Sequence, residues 1–255
     1  MQKLIRNVLA AALVAGAAPA ALANEGGPEL MKPGFSFDGV FGRYDPAALK
    51  RGFQVFHEIC SNCHSLSLVA YRNLAAIGLT EDEIKAVAAE REIQAGPNDE
   101  GQMFNRPGRP SDHYIPPFPN EKAAAVANGG AAPPDLSLMA KARHGGPNYI
   151  YSLMLGFEDT PPDGVHIPDG KFYNKFFPGN AISMPPPIQD DAVTYADGTK
   201  ATKAQIAHDV ATFLNWAAEP ELDARKSLGL KVLGFLAVLT ALFYALKRQI
   251  WKNVH

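Results

Sequence analysis

Cysteine is nearly absent: among 255 residues only Cys60 and Cys63 carry a thiol. The pair therefore cannot belong to a larger zinc set, which would usually bring a second Cys/His pair. The neighbouring residues lack a βαβ pattern, which argues against a thioredoxin-type redox pair. Acidic side chains are missing from both ends, with none before Glu25 and none after Asp223. Six of the 24 basic side chains lie outside residues 24–227, so that stretch holds 18 of them and all 26 acidic ones, a formal balance of −8. No nucleic-acid partner is expected. Such a field speeds encounter with a basic partner and weakens as salt rises, but it also serves simply to keep a domain soluble.

What the chain does have is Cys60-Ser61-Asn62-Cys63-His64. Two thiols three apart followed at once by an imidazole is the spacing for covalent attachment of a c-type haem. Residues three and four apart share a helix face, so both thiols can reach one macrocycle as thioethers while His64 aims its ring at the iron. A disulfide or a different metal site is the alternative.

Targeting agrees with export. Lys3 and Arg6 precede an apolar stretch from Val8 to Ala18, and Ala21-Leu22-Ala23 has the small-x-small form of a signal-peptidase site. Residues 1–23 read as a cleaved signal peptide, with a mature start near Asn24. Near the other end, Leu228 to Leu246 is 19 residues with one charge, Lys231. It spans roughly 28 Å, close to the hydrocarbon thickness of a bilayer. Lys247, Arg248 and Lys252 follow, with Trp251 among them, which is a positive-inside flank with an aromatic anchor. A buried core helix is the alternative. The expected organisation is an exported haem domain over 24–226, a transmembrane anchor over 227–247 and a cytoplasmic tail over 248–255. In a bacterium this means a single-pass inner-membrane protein with its haem domain periplasmic.

The body reads as mainly α with long loops. Asp45-Pro46 opens a helix as N-cap and first residue, and Leu49, Phe53, Phe56, Cys60 and Cys63 recur on one face. Thr80 with Glu83 forms a capping box for a helix expected to run to about Ile93. Residues 96–120 have too much Pro and Gly for regular structure. Short helices are expected over Glu121–Asn128, over Leu136–His144 behind a Pro133-Pro134-Asp135 cap, and from near Asn148. Thr202 with Gln205 forms a second capping box that opens a last helix before Pro220, followed by a short polar connection, Glu219–Lys226, to the anchor. His57, His113, His144, His166 and His208 share no ligand spacing and read as surface or packing residues.

Three further features carry chemistry. Arg143, near a helix end, is either a C-terminal charge partner or the fixed cation for a haem propionate. Met184 precedes three prolines, which stiffen the loop and hold its thioether as a candidate sixth iron ligand; methionine as core filler is the plainer reading. Glu90, Glu92, Asp99 and Glu100 form an acidic cluster that is either a docking patch or ordinary solvated charge.

Together these features resemble the cytochrome c1 family, the haem-bearing subunits of the cytochrome bc1 complex (quinol–cytochrome c reductase). The resemblance runs from about Phe35 to the C-terminus and rests on Arg51-Gly-Phe-Gln-Val-Phe56 with Cys60-Ser-Asn-Cys-His64, Pro133-Pro-Asp-Leu-Ser137, Ala142-Arg-His-Gly-Gly146, Phe177-Pro-Gly179, Met184-Pro-Pro-Pro187 and Trp216-Ala-Ala-Glu-Pro220. It implies a c-type cytochrome fold with one covalently bound haem c on Cys60 and Cys63, His64 and Met184 as axial ligands, and Arg143 at a propionate. It implies a haem pocket that includes Asn128, Pro133, Pro134, Tyr149, Leu153, Phe177, Ile182 and Pro187. Some bacterial members carry an extra cysteine pair; this chain has none, so stiffening near Met184 must come from prolines and packing. With both axial positions filled the iron transfers single electrons, and no residue of the chain is expected to be catalytic. The resemblance implies cytochrome b and a Rieske iron–sulfur protein as partners in a dimeric complex, the latter as electron donor, and a soluble or membrane-tethered c-type cytochrome as acceptor. The rival readings are the haem c subunit of another membrane-bound dehydrogenase, or a five-coordinate haem enzyme or sensor in which Met184 only packs.

Overall fold

The computed structural model describes residues 28–253. The expected signal peptide and the last two residues of the tail lie outside the described residues. The body is mainly helical, with long loops and three separate two-stranded antiparallel ladders.

Helix α1, Pro46–Glu58, starts as its sequence dictates: the Asp45 carboxylate accepts the Ala47 N–H at 3.0 Å and Pro46 takes the first position. Its inner face carries Ala48, Leu49, Gly52, Phe53, Val55 and Phe56. The largest stretch of core lies where this face meets a helix far along the chain, Lys203–Ala218. The rings of Phe53 and Phe56 sit 5.6 and 5.7 Å from that of Phe213, which stacks on Trp216 at 5.6 Å. Each fully buried side chain of this size stabilises the fold by about 1.5–3 kcal/mol before its conformational entropy is charged. The approach is close because residue 52 is glycine: a Cβ there would stand 2.0 Å from the Asp209 carbonyl oxygen.

A buried ion pair runs along the same seam. Arg51 Nε donates to Asp209 Oδ2 at 2.8 Å, its Nη2 to Oδ1 at 3.2 Å, and its Nη1 to Asp197 Oδ2 at 2.7 Å. Asp209 is fully buried. Burial pushes its carboxyl upward, but His208, Arg51 and Gln205 more than offset this and hold it below the usual carboxylate range.

After α1 the chain forms a 3₁₀ turn at Cys60–Asn62, strand β1 at Leu66–Ala70 and a second 3₁₀ segment at Tyr71–Ile77. Helix α2, Glu81–Ala89, opens on the expected capping box, with Thr80 accepting the Glu83 N–H and Glu83 accepting the Thr80 N–H. It stops at Ala89, short of the expected Ile93. Instead Glu92–Ala95 is strand β2, paired with β3, Phe104–Pro107, inside a stretch expected to lack regular structure. The returning chain causes this: Gly108 packs so tightly against the end of α2 that a Cβ would lie 2.3 Å from the Ala88 carbonyl oxygen, and its N–H donates to the Arg91 carbonyl at 2.8 Å. Strand β4, His113–Tyr114, pairs with β1.

Helix α3 spans Glu121–Ala127. The helix expected over Leu136–His144 shrinks to α4, Met139–Ala142. Its first residues are drawn away to β1: the Ser137 N–H donates to Asp135 Oδ1 at 2.8 Å, and the Ser137 hydroxyl accepts the Leu68 N–H at 3.1 Å. Helix α5 spans Pro147–Leu155, and β5 (Phe172–Tyr173) pairs with β6 (Ala181–Ile182). Helix α6 is Lys203–Ala218, with Thr202 accepting the Gln205 N–H at 3.2 Å. The Gln205 amide does not close the expected box; it donates to Asp209 instead.

Helix α7, Leu222–Ile250, absorbs most of what the sequence reads as a polar connection. Its first turn is seated on the body by buried Leu222 and by Asp223, whose Oδ1 accepts the Tyr44 N–H at 3.2 Å. At 29 residues it is about 43 Å long, more than the hydrocarbon core needs. Among the described residues it is the one helix long and apolar enough to cross a membrane, with a mean hydropathy of 2.0 over its most apolar 18 residues, and that window is unburied by the body.

Candidate functional site

The site is built where α1 ends. Ile59 caps the helix, its N–H still bonded to the Val55 carbonyl at 3.0 Å, and Cys60–Asn62 tighten into a 3₁₀ turn rather than continuing the helix. Local side chains compete for the last carbonyls: Ser61 Oγ donates to the His57 carbonyl at 2.7 Å and Asn62 Nδ2 to that of Glu58 at 3.0 Å. Even so, the N–H groups of Cys63 and His64 both return to the Cys60 carbonyl, at 3.1 and 2.8 Å. Both thiols and the imidazole thus ride on one turn. From the other side Arg91 Nη2 reaches the Ser61 carbonyl and hydroxyl, both at 3.1 Å, and fastens the turn to the end of α2.

Cys60 and Cys63 are free and half-buried. Burial, with a smaller contribution from Cys63, pushes the Cys60 thiol up to about 12. Among the described residues no three His, Cys, Asp or Glu side chains cluster as a metal-binding set.

His64 Nδ1 stands 2.8 Å from the Pro134 carbonyl oxygen. A carbonyl can only accept, so Nδ1 carries the proton and the Nε2 lone pair is left for a ligand. Burial lowers the ring below its ordinary titration range, outweighing the upward pull of Pro134 and Asp135, and keeps it neutral.

The Pro134 carbonyl is itself held. Asp135 Oδ2 accepts the Ser65 hydroxyl at 2.6 Å and the Ser67 N–H at 2.7 Å, and the Leu136 N–H donates to the Ser65 carbonyl at 2.9 Å. Burial works to raise the Asp135 carboxyl, but hydrogen bonds from Ser137, Ser65 and Ser67 win and bring it to about 2. The segment 133–137 is a strap laced across 64–68. The sequence reading takes Asp135 for a helix cap and misses this role; the cue available was serine at 65, 67 and 137, short side chains that could meet a carboxylate.

Next to the turn is a cleft of about 300 Å³ lined by Cys63, Ala132, Pro133, Pro116 and Phe118. Asn128 ends α3, its side chain folded back onto the Ala124 carbonyl at 2.7 Å. Arg143 is exposed; Nη1 donates to the Ala142 carbonyl at 3.3 Å and the guanidinium lies beside the Tyr149 phenol. Among the described residues no carboxylate pairs with it.

Met184 is half-buried, two residues beyond buried Ile182 of β6, and the half-buried Pro187 leads into buried Ile188. The hub of this region is Asn174, fully buried and not among the residues singled out from sequence. Its Nδ2 donates to the Leu153 carbonyl at 2.8 Å, while its Oδ1 accepts the Phe176 and Phe177 N–H groups at 3.0 and 3.2 Å. One amide thereby ties α5 to the ladder that carries Met184, and so brings Leu153, Phe177 and Ile182 into one region.

Paired free thiols, a neutral imidazole with Nε2 available and a half-buried thioether on a proline-stiffened segment fit a c-type haem in their chemistry. The class is a mainly helical, c-type-haem-binding protein with one long apolar C-terminal helix. The pattern described as Cytochrome C1 family matches residues 35–254, and the chain belongs to that family. It is 59% identical to "Cytochrome c1" of Rhodospirillum rubrum over 98% of this chain and 97% of that protein. It is 53% identical to "Cytochrome c1 1, heme protein, mitochondrial" of Arabidopsis thaliana, covering 81% of this chain and 68% of that one. It is 51% identical to "Cytochrome b-c1 complex catalytic subunit, mitochondrial" of Candida albicans, covering 85% and 75%.

Proposed function

We propose that this chain is the electron-carrying haem c subunit of a cytochrome bc1 complex and is not an enzyme by itself. The relatives named as a haem protein and as a b-c1 complex subunit support this. The observation that carries the site reading is the His64–Pro134 hydrogen bond, which leaves Nε2 free on the turn that also holds both thiols. In this reading Cys60 and Cys63 would hold the porphyrin as thioethers, His64 Nε2 and Met184 Sδ would be the iron's protein ligands, and Arg143 would take a propionate. Asn128, Pro133, Pro134, Tyr149, Leu153, Phe177, Ile182 and Pro187 form the surrounding wall. A haem so held would supply one-electron exchange, at a potential raised by His/Met ligation, and would offer no site to oxygen or peroxide.

The chain's own residues do the rest. Pro134 keeps His64 in one tautomer and one orientation, and the Asp135 strap holds Pro134 in place. Asn174 and the prolines after Met184 hold the thioether segment stiff, so little reorganisation accompanies electron exchange. A Rieske iron–sulfur protein delivers the electron and a c-type cytochrome removes it, with cytochrome b as the membrane partner in a dimeric complex. The acidic cluster at Glu90, Glu92, Asp99 and Glu100, all exposed, offers a basic acceptor a complementary field. Residues 1–23 are a cleaved signal, 24–226 the periplasmic haem domain, 227–247 the span in the bacterial inner membrane, and 248–255 a cytoplasmic tail with its basic flank inside.

The test is spectroscopic. The natively purified protein should give the pyridine haemochrome spectrum of a thioether-linked haem, copurify with a b-type cytochrome and an iron–sulfur protein, and bind carbon monoxide slowly or not at all when reduced. Rapid carbon monoxide binding would overturn the six-coordinate reading.

A further inference from the structure

Residues 37–44 make a short excursion whose two feet are buried and whose tip is not. Phe35, Phe37 and Tyr44 are between 4% and 8% exposed, whereas Val40 is 65% and Phe41 80% exposed. A loop tip gains nothing from presenting Val and Phe to water, and Gly39 at φ +69° with Gly42 against the Asp38 carbonyl folds the turn tightly enough to hold them there.

The excursion is fastened to α7. Lys226 Nζ donates to the carbonyls of Phe37 and Gly39, both at 2.6 Å, and of Gly42 at 3.1 Å. One ammonium thus gathers three carbonyls of the turn. The Tyr44 N–H bonds to Asp223 and the Tyr44 hydroxyl to the Glu219 carbonyl at 3.2 Å. Lys226 is the last charge before the apolar run, and Leu228 begins two residues later, about 3 Å further along the axis. The headgroup layer on each side of a bilayer is about 5–7 Å thick. The turn is therefore fixed at the level where α7 passes from the body into the lipid.

We propose that Val40 and Phe41 form a second membrane contact, a foot that inserts into the headgroup–acyl boundary beside α7, with exposed Arg43 meeting lipid phosphate. The occupant is lipid and not a protein partner for two reasons. Two apolar side chains are far below the roughly 800 Å² per partner that a stable protein interface buries. The turn that carries the patch is also held by Lys226, two residues before the uncovered apolar run of α7 begins, and among the described residues no carboxylate pairs with Arg43. With α7 alone the body could rock about one helix; a foot to its side fixes the tilt of the haem domain on the membrane plane. This rests on the reading of α7 as a membrane span.

The test uses the full-length, haem-loaded protein purified with its complex and reconstituted in lipid vesicles, where the thioethers would occupy Cys60 and Cys63 and the signal of an introduced, spin-labelled thiol is read above that of the unsubstituted protein. Labels at Phe41→Cys and, independently, Val40→Cys should collide several-fold more often with oxygen, relative to a water-soluble nickel chelate, than a label at Asp82→Cys on α2. Equal ratios at all three positions would show a solvated loop. Shielding of the Val40 and Phe41 labels from both reagents would show a protein partner covering them. Either result overturns the proposal. Release of the protein by alkaline carbonate would overturn the anchor reading, and the foot with it, whereas retention with water-exposed labels would overturn the foot alone.

Discussion

His64 Nδ1 and the Pro134 carbonyl oxygen, seventy residues apart in sequence, meet at 2.8 Å. That contact gives His64, the ligand proposed above, a set tautomer, and it depends on a strap that a single carboxylate fastens.

Asp135→Asn should loosen the strap. The amide keeps the shape but cannot accept from Ser65, Ser67 and Ser137 as the carboxylate does. The expected cost is about 1–3 kcal/mol in unfolding free energy, since N–H and O–H donors lose a charged acceptor. Denaturant titration checks it, and the midpoint potential should move with it because His64 loses its fixed orientation. An unchanged potential would place the strap's role in stability alone.

Met184→Leu should lower the midpoint potential by a sizeable part of the roughly 0.8 V that axial ligation covers across haem proteins. It should also open the reduced iron to carbon monoxide. Redox titration and a carbon monoxide difference spectrum read both, and a variant with wild-type potential would remove Met184 from the ligand set.

Gly52→Ala should be among the most damaging single-methyl changes in the body. The new Cβ would sit 2.0 Å from the Asp209 carbonyl, so α1 and α6 must move apart. Overpacking of this kind costs about 1–3 kcal/mol or more. Arg51→Ala, at the preceding residue, should cost about 3–5 kcal/mol, because the buried Asp209 carboxylate loses its guanidinium and keeps only Gln205 and His208. Thermal unfolding of the two variants measures both effects.

Acid should expose the Asp112–Arg106 pair. Two hydrogen bonds, 2.6 and 2.9 Å, from the Arg106 guanidinium bring the Asp112 carboxyl down to about 2. An unfolded aspartate titrates near 3.9. The folded state therefore binds that proton less readily, and the pair's contribution is full above about pH 4 and lost as the pH falls toward about 2. Arg106→Gln should flatten this part of the stability profile, measured by denaturant titration at stepped pH; an unchanged slope would contradict the assignment.

Much of the site could be read locally. Cys60, Cys63 and His64 declare themselves by spacing, Asp45-Pro46 and Thr80 with Glu83 by capping chemistry, and the C-terminal span by nineteen residues with one charge. These depend on neighbours within a turn or two, and one-dimensional order preserves them. Helix ends were less legible. The capping box and apolar period extend the reading of α2 to about Ile93, and only the return of Gly108 against Ala88 makes that residue part of a strand. Asp135 reads as a cap because order along the chain does not bring Ser65 and Ser67 beside it, although their short hydroxyl side chains are a cue.

By itself, the amino-acid sequence determined the attachment turn, the helix α1 that carries it and the long apolar helix, because each is specified by periodicity, capping or length over a short span. Only the tertiary structure decided that Asp135 fastens Pro134 to His64, that Asn174 ties α5 to the Met184 ladder, and that Lys226 gathers the turn bearing Phe41. Those are pairings of single polar groups across dozens of residues, and which donor finds which acceptor is settled by how the buried faces of α1 and α6 pack and where they leave the loops.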